Sequence, residues 1–192
     1  MASPRTFLDL TLAEWLDELA HSRGAPGGGS ALAFAVATGA AVLAMAARVS
    51  GQAGLVAQAE ALRARAAPLA QLDADGFEEA LAARDGTETL RPEQRDWELG
   101  RAFARAAEPP LEIARAGADV AELAAQLAEA GDPRVLADAL AAAALGAAAA
   151  RGAVALVAVN LTALDGDPRV AEAEQLAAAA ERATARVASR VH

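Results

Sequence analysis

The residues best placed to do chemistry in this chain begin with backbone rather than side chain. Residues 24 to 31 read GAPGGGSA, with Pro26, Gly27, Gly28, Gly29 and Ser30 set between two helix-forming stretches. Glycine loses more conformational freedom on folding than any other residue, so three in a row need a reason. One reading is a tight helix–helix turn, with glycine supplying a positive φ and Ser30 capping the helix that follows. The other is a set of exposed N–H groups at a helix N-terminus, where the dipole favours an anion. No strand precedes the glycines and no Lys-Ser/Thr follows, so this is not a nucleotide P-loop. Two glycines suffice for a turn, and the third implies that something comes close to the backbone.

The candidate side chains are carboxylates. Asp138 interrupts an apolar run that continues through ALAAAALGAAAARGAVALVAV. A carboxylate among alanines loses hydration, and its pKa rises toward the range useful for proton transfer. The competing reading is an ion pair with a buried arginine, Arg151. Asp73 lies in the more polar DADGFEE, where a solvated face is the ordinary reading. His21, just before the glycines, could act as a base, but a histidine in a last helical turn usually compensates the dipole.

Composition removes many alternatives. All 17 basic residues are arginine, so no lysine can form a Schiff base or act as a base. Cysteine is absent, and the two histidines, His21 and His192, are far apart. Thiolate chemistry and a histidine metal cluster drop out. The net charge of −9, with no basic stripe, argues against a nucleic-acid partner. The start, MASPRTFLDLTLAEW, lacks the pattern of a signal peptide, so the expected location is cytoplasmic. Residues 31–47 carry no charge, but 17 weakly apolar residues fall short of the roughly 20 needed to span a bilayer. No membrane association is expected.

The elements that must position these groups are helices. Alternation of β-branched residues is missing, whereas Thr11-Leu-Ala-Glu14 is a capping-box pattern. It starts a helix ending between His21 and Gly24. Ser30 starts a second, running to about Val49, and a third runs from about Leu55 to Arg84 with a kink at Pro68. Pro92 starts a fourth, which stops or bends at Pro109-Pro110. Asp132-Pro133 and Asp167-Pro168 each pair an N-cap aspartate with a first-turn proline, giving helices over about 133–158 and 168–190. The sequence thus predicts an all-α bundle of six or seven helices forming one domain over residues 1–192. Residues 31–47 and 139–159 are both too apolar for one small bundle to bury fully, so a homodimer is expected.

Pro26-Gly27-Gly28-Gly29-Ser30 opening an alanine-rich helix resembles the signature of the formiminotransferase-cyclodeaminase/methenyltetrahydrofolate cyclohydrolase family. The opening FLDLTLAEWLDELA resembles that family's first helix. Asp73 with Phe77 resembles its Asp-x-x-Ala-Phe segment, with Gly76 in place of the alanine. Glu108-Pro109-Pro110-Leu111-Glu112, GDPRVLADA and Val159-Asn160-Leu161 resemble three later segments, in the family's order. The chain departs from the pattern where Ser50-Gly51-Gln52-Ala53-Gly54 replaces a lysine-rich stretch, and at Arg48, Ala137 and Leu156.

The resemblance implies an all-helical homodimer acting on the one-carbon bridge of a tetrahydrofolate derivative, with no tightly bound cofactor. Asp73 and Asp138 become the catalytic candidates. Gly27 to Ser30, Pro26, Asn160 and Arg48 become the substrate-binding ones, with Arg48 and the loop amides facing the anionic glutamyl tail. Two readings stay open: a cyclohydrolase or cyclodeaminase, or a catalytically inactive dimeric binding or assembly module.

Overall fold

A computed structural model describes residues 5–22, 24–87, 89–162, 164 and 166–191; His192 lies outside the described residues. Among the described residues eight α-helices follow one another: α1 (Leu12–His21), α2 (Gly28–Val49), α3 (Ala53–Ala66), α4 (Leu69–Gly86), α5 (Pro92–Ala106), α6 (Glu108–Glu129), α7 (Leu136–Asn160) and α8 (Pro168–Ala188). Two short 3-10 turns, Phe7–Asp9 and Pro133–Val135, precede α1 and α7. The described residues contain no strand.

The local signals explain most boundaries. Thr11 and Glu14 form the capping box of α1. Asp132 and Asp167 accept from the amides of Arg134 and Arg169, each across a proline in the first turn. After Asp132 the chain makes the 3-10 turn before α7 begins at Leu136, three residues later than the sequence suggests. At Pro68 the absent N–H separates α3 from α4, yet Ala67 and Pro68 stay in the right-handed helical region. Ala107 does the same between α5 and α6. The chain turns at Ala107 because Pro109 and Pro110 fit the first turn of α6, where their missing donors are not needed. The eight segments therefore make six rods, two of them kinked.

Packing is set by small side chains. Gly117 of α6 and Gly146 of α7 face each other, and a Cβ on Gly117 would stand 2.6 Å from the Gly146 carbonyl oxygen. A Cβ on Gly146 would meet the Gly117 carbonyl oxygen at 2.5 Å. Helices α2 and α7 run antiparallel, since Gly152 lies against Leu32 while Gly39 lies against Ala142. Trp15, between the rings of Phe7 and Phe34, fixes α1 to α2.

Both α2 and α7 are long and apolar enough to cross a membrane, but 56% and 44% of their apolar windows are buried inside the bundle. Their outer faces stay apolar: Ala41 and Met45 on α2 and Ala141, Ala144, Ala148 and Val159 on α7 are exposed.

Because the α6–α7 approach is backbone against backbone, Gly117→Ala and Gly146→Ala each force the helices apart. Each is expected to cost about 1–3 kcal/mol, the range for overpacking. Urea unfolding measures it, and a neutral result for both would contradict this packing.

Candidate active site

The site is built where α2 begins. Its N-cap is Gly27, which offers no side chain to the first-turn amides. Ser30 is not the cap that the sequence suggests: it sits inside the first turn, fully buried, and its hydroxyl donates to the Ala70 carbonyl of α4 at 2.7 Å. One turn further along α4, on the same face, the Asp73 carboxyl lies against Gly29 in the first turn of α2, and the neighbouring Ser30 amide and hydroxyl favour its charged form.

The positive φ expected of the glycines is also absent. Among the described glycines it occurs at Gly51, Gly131 and Gly166, none of them in the loop. The three loop glycines have different surroundings. A Cβ on Gly27 would make an ordinary contact with the Gly24 carbonyl, and one on Gly28 would meet open space. A Cβ on Gly29 would fall inside the Asp73 carboxyl group. The third glycine makes room for a carboxylate of the protein itself.

Gly27, Gly28, Gly29 and Asp73 form one side of a cavity of about 150 Å³. Phe77, one turn after Asp73, forms a second side; Leu156, Val159 and Asn160 at the end of α7 and Ala106 at the end of α5 complete it. The Asn160 side-chain amide donates to the Ala106 carbonyl at 2.9 Å, tying those two helix ends together. Among the described lining residues Asp73 alone titrates. Burial pushes its pKa up to about 6, against the pull of the Ser30 donors. Both protonation states are thus available close to neutral pH.

The other carboxylate candidate stands elsewhere. Asp138 is half-buried in the first turn of α7, with about 33 Å of helix between it and Asn160 at roughly 1.5 Å per residue. It does not pair with Arg151, which is exposed and bridges to Glu181 at 2.6 Å. Thirteen residues along one helix separate Asp138 from Arg151 by about 20 Å, beyond any ion pair. Arg48 is also at the far end, near the close of α2, and pairs with Glu60. Arg134 reaches the Val49 carbonyl at 3.4 Å there, so Arg48 and Asp138 share one end of the antiparallel α2–α7 pair. His21 donates from Nδ1 to the Asp17 carbonyl at 2.7 Å and closes its own helix. Pro26 is buried in the loop after a cis Ala25–Pro26 peptide, and its carbonyl accepts from the Ser22 hydroxyl at 2.6 Å.

Two pairs of wall residues carry a signal in the sequence. Leu156 and Asn160 are four apart and must share a helix face, as must Asp73 and Phe77. Ala106 carries none, because only the tertiary fold brings α5 there.

The sequence model of the family described as formiminotransferase-cyclodeaminase matches residues 11–180. A crystal structure of formiminotetrahydrofolate cyclodeaminase from Thermotoga maritima is similar, with a TM-score of 0.86 and 25% sequence identity over 97% of this chain and 98% of that one. No curated protein matches. The chain belongs to the formiminotransferase-cyclodeaminase family.

The Asp73 environment has a thermodynamic consequence. Its carboxyl holds a proton more tightly folded than unfolded, from an ordinary value near 4 to about 6. Its contribution to stability is fully present below about pH 4 and is lost as pH rises through about 6. Asp73→Asn removes that loss. The difference in unfolding free energy, variant minus wild type, is expected to grow between about pH 4 and 6.5 and then level off. A flat difference would mean that the carboxyl is not desolvated.

Proposed function

We propose that this protein is a folate one-carbon enzyme that closes the ring of 5-formiminotetrahydrofolate and releases ammonia. The observation that carries this reading is a solitary carboxyl, poised near pH 6, in a cavity whose other described lining residues are uncharged. Membership of the family and the similarity to a structure named for that activity support it.

The chemistry asks for what Asp73 can supply. The formimino group is a cationic amidinium, and an ionised carboxylate in a poorly solvated site attracts it more strongly than water does. In ring closure the N10–carbon bond forms and the carbon–ammonia bond breaks. The proton on N10 must leave and the departing nitrogen must gain one. The Asp73 carboxylate takes the first proton and returns it to the leaving group, which is general base followed by general acid catalysis. Atoms and charge balance with the folate alone, so the reading requires no tightly bound cofactor. With water as nucleophile and methenyltetrahydrofolate as substrate, the same carboxylate would serve as base for hydrolysis.

The α2 N-terminus is a poorer anion site than the sequence suggests, because Asp73 already occupies it. The glutamyl tail must find its cations elsewhere. The cavity, at about 150 Å³, is smaller than the roughly 300–1,000 Å³ of most ligand sites, so it suits only the reacting end. We assign the remainder to a second copy of the chain. An antiparallel homodimer across the exposed α2–α7 face, with its axis near Ala148, brings the Arg48 and Asp138 end of one protomer beside the Gly28 and Val159 end of its partner. The two groups of candidate residues that one chain separates would then meet twice per dimer.

Supplying purified protein with 5-formiminotetrahydrofolate is expected to produce ammonia and the methenyl chromophore faster than the spontaneous reaction. Loss of chromophore from supplied methenyltetrahydrofolate, without ammonia chemistry, would identify the cyclohydrolase instead. Folate binding with neither turnover would favour the non-catalytic module. Asp73→Asn is expected to lower turnover at least 100-fold, the low end for loss of an acid–base group. Gly28→Ala meets no protein atom, so its melting temperature should stay within a few degrees while folate binding weakens about tenfold, or about 1.4 kcal/mol. Ala148→Glu should convert a dimer to monomer by light scattering and abolish turnover; a wild-type monomer at micromolar concentration contradicts the shared site.

A further inference from the structure

We propose that Gly29 is a positioning residue for Asp73: its missing Cβ is the space the Asp73 carboxyl group occupies, and that space holds the carboxylate between the start of α2 and the cavity. The inference rests on the reading of Asp73 as the reacting group, and it explains why a third glycine is needed.

Three observations lead to it. First, the atoms that a Cβ on Gly29 would strike are Oδ1, Cγ and Oδ2 of Asp73, so the nearest obstacles are all parts of one side chain. Gly117 and Gly146 differ, since a Cβ on either would strike backbone. Second, Gly29 does not have a positive φ, so alanine is compatible with its backbone. Third, Asp73 has no other anchor of comparable kind: burial and the Ser30 donors account for its state, and no charged side chain among the described residues contributes to it. Lining the cavity with it are Gly27, Gly28, Phe77, Leu156 and Asn160, none of which titrates.

A methyl group at position 29 therefore displaces the carboxylate without obstructing the helix. Asp73 then turns away from Ser30, losing donors that lower its pKa and, with the larger effect, part of the burial that raises it. That movement misdirects its oxygens and leaves the polypeptide folded. Geometry held within a fraction of an ångström is what proton transfer requires.

The test needs no substrate and so stands apart from the assignment of the reaction. Thermal unfolding is measured for wild type, Gly29→Ala, Asp73→Ala and the double variant. Gly29→Ala is expected to be distinctly less favourable with Asp73 present than in the Asp73→Ala background, where the obstructing atoms are gone. In parallel, 13C NMR of the aspartate carboxyls, with Asp73 assigned by its loss in Asp73→Asn, follows the titration directly. Its midpoint in Gly29→Ala is expected to fall from about 6 by about one pH unit or more, toward the ordinary carboxylate range. Equal effects of Gly29→Ala in the two backgrounds, or an unchanged Asp73 midpoint, would overturn the proposal. If the coupling is found and wild type turns over no folate, the positioning stands and the reaction assignment fails. If wild type is active, kcat should fall more than KM rises in Gly29→Ala.

Discussion

The contact between the Asp73 carboxylate and the start of α2 governs how the rest of this structure must be arranged. A helix whose N-cap is glycine leaves its first amides without a side-chain cap, and here a carboxyl from a different helix lies against that first turn. Asp73 can reach only because α4 is brought alongside, with the Ser30 hydroxyl bonded to Ala70 one turn earlier. Because that carboxyl lies against the first turn of α2 while staying largely out of water, its charged form is disfavoured. The packing that places it there therefore tunes an acid. GAPGGGSA thus forms neither the positive-φ turn nor the open anion site read from its sequence, but makes room for a carboxyl group of the protein itself.

A second constraint is volume. With aromatics at 3% of residues, the core cannot be filled by large rings and is closed by bringing backbones together. Gly117 against Gly146 is the tightest instance. Helices packed in this way are thin, and a bundle of them cannot wrap fully around both α2 and α7. The outer stripes that remain, Met45 on one helix and Val159 on the other, follow from the same composition that makes the core close-packed. The small cavity and the incompletely covered helices thus have one cause.

Helix capping was the most legible part of the sequence. Thr11 with Glu14, and the Asp-Pro pairs at 132 and 167, mark helix starts by local chemistry that tertiary structure has no reason to override. Pro68 marked a kink, and the chain places one there. The glycine loop was legible as a site but not as a mechanism. Its backbone looked ready for an outside anion because the sequence does not reveal that α4 delivers a carboxylate to it. The burial of Asp73 is hidden for the same reason: its neighbours in DADGFEE are polar, and α2 packs against it from a distant part of the chain. The burial of Asp138 is less than its apolar sequence neighbours suggest, because its place in the first turn of α7 leaves it half-exposed. Burial inferred from adjacent residues fails where the chain enters a helix.

The pH dependence of kcat/KM for ring closure of 5-formiminotetrahydrofolate tests the central claim most directly, because it reads the protonation of the group that accepts the N10 proton in the free enzyme. If Asp73 is that group, kcat/KM rises through an inflection near pH 6 and reaches a plateau above it, in step with the desolvation of its carboxyl. A profile that stays flat from about pH 5 to 7.5 in an active enzyme would show that the carboxylate at the start of α2 packs against a helix and does no more.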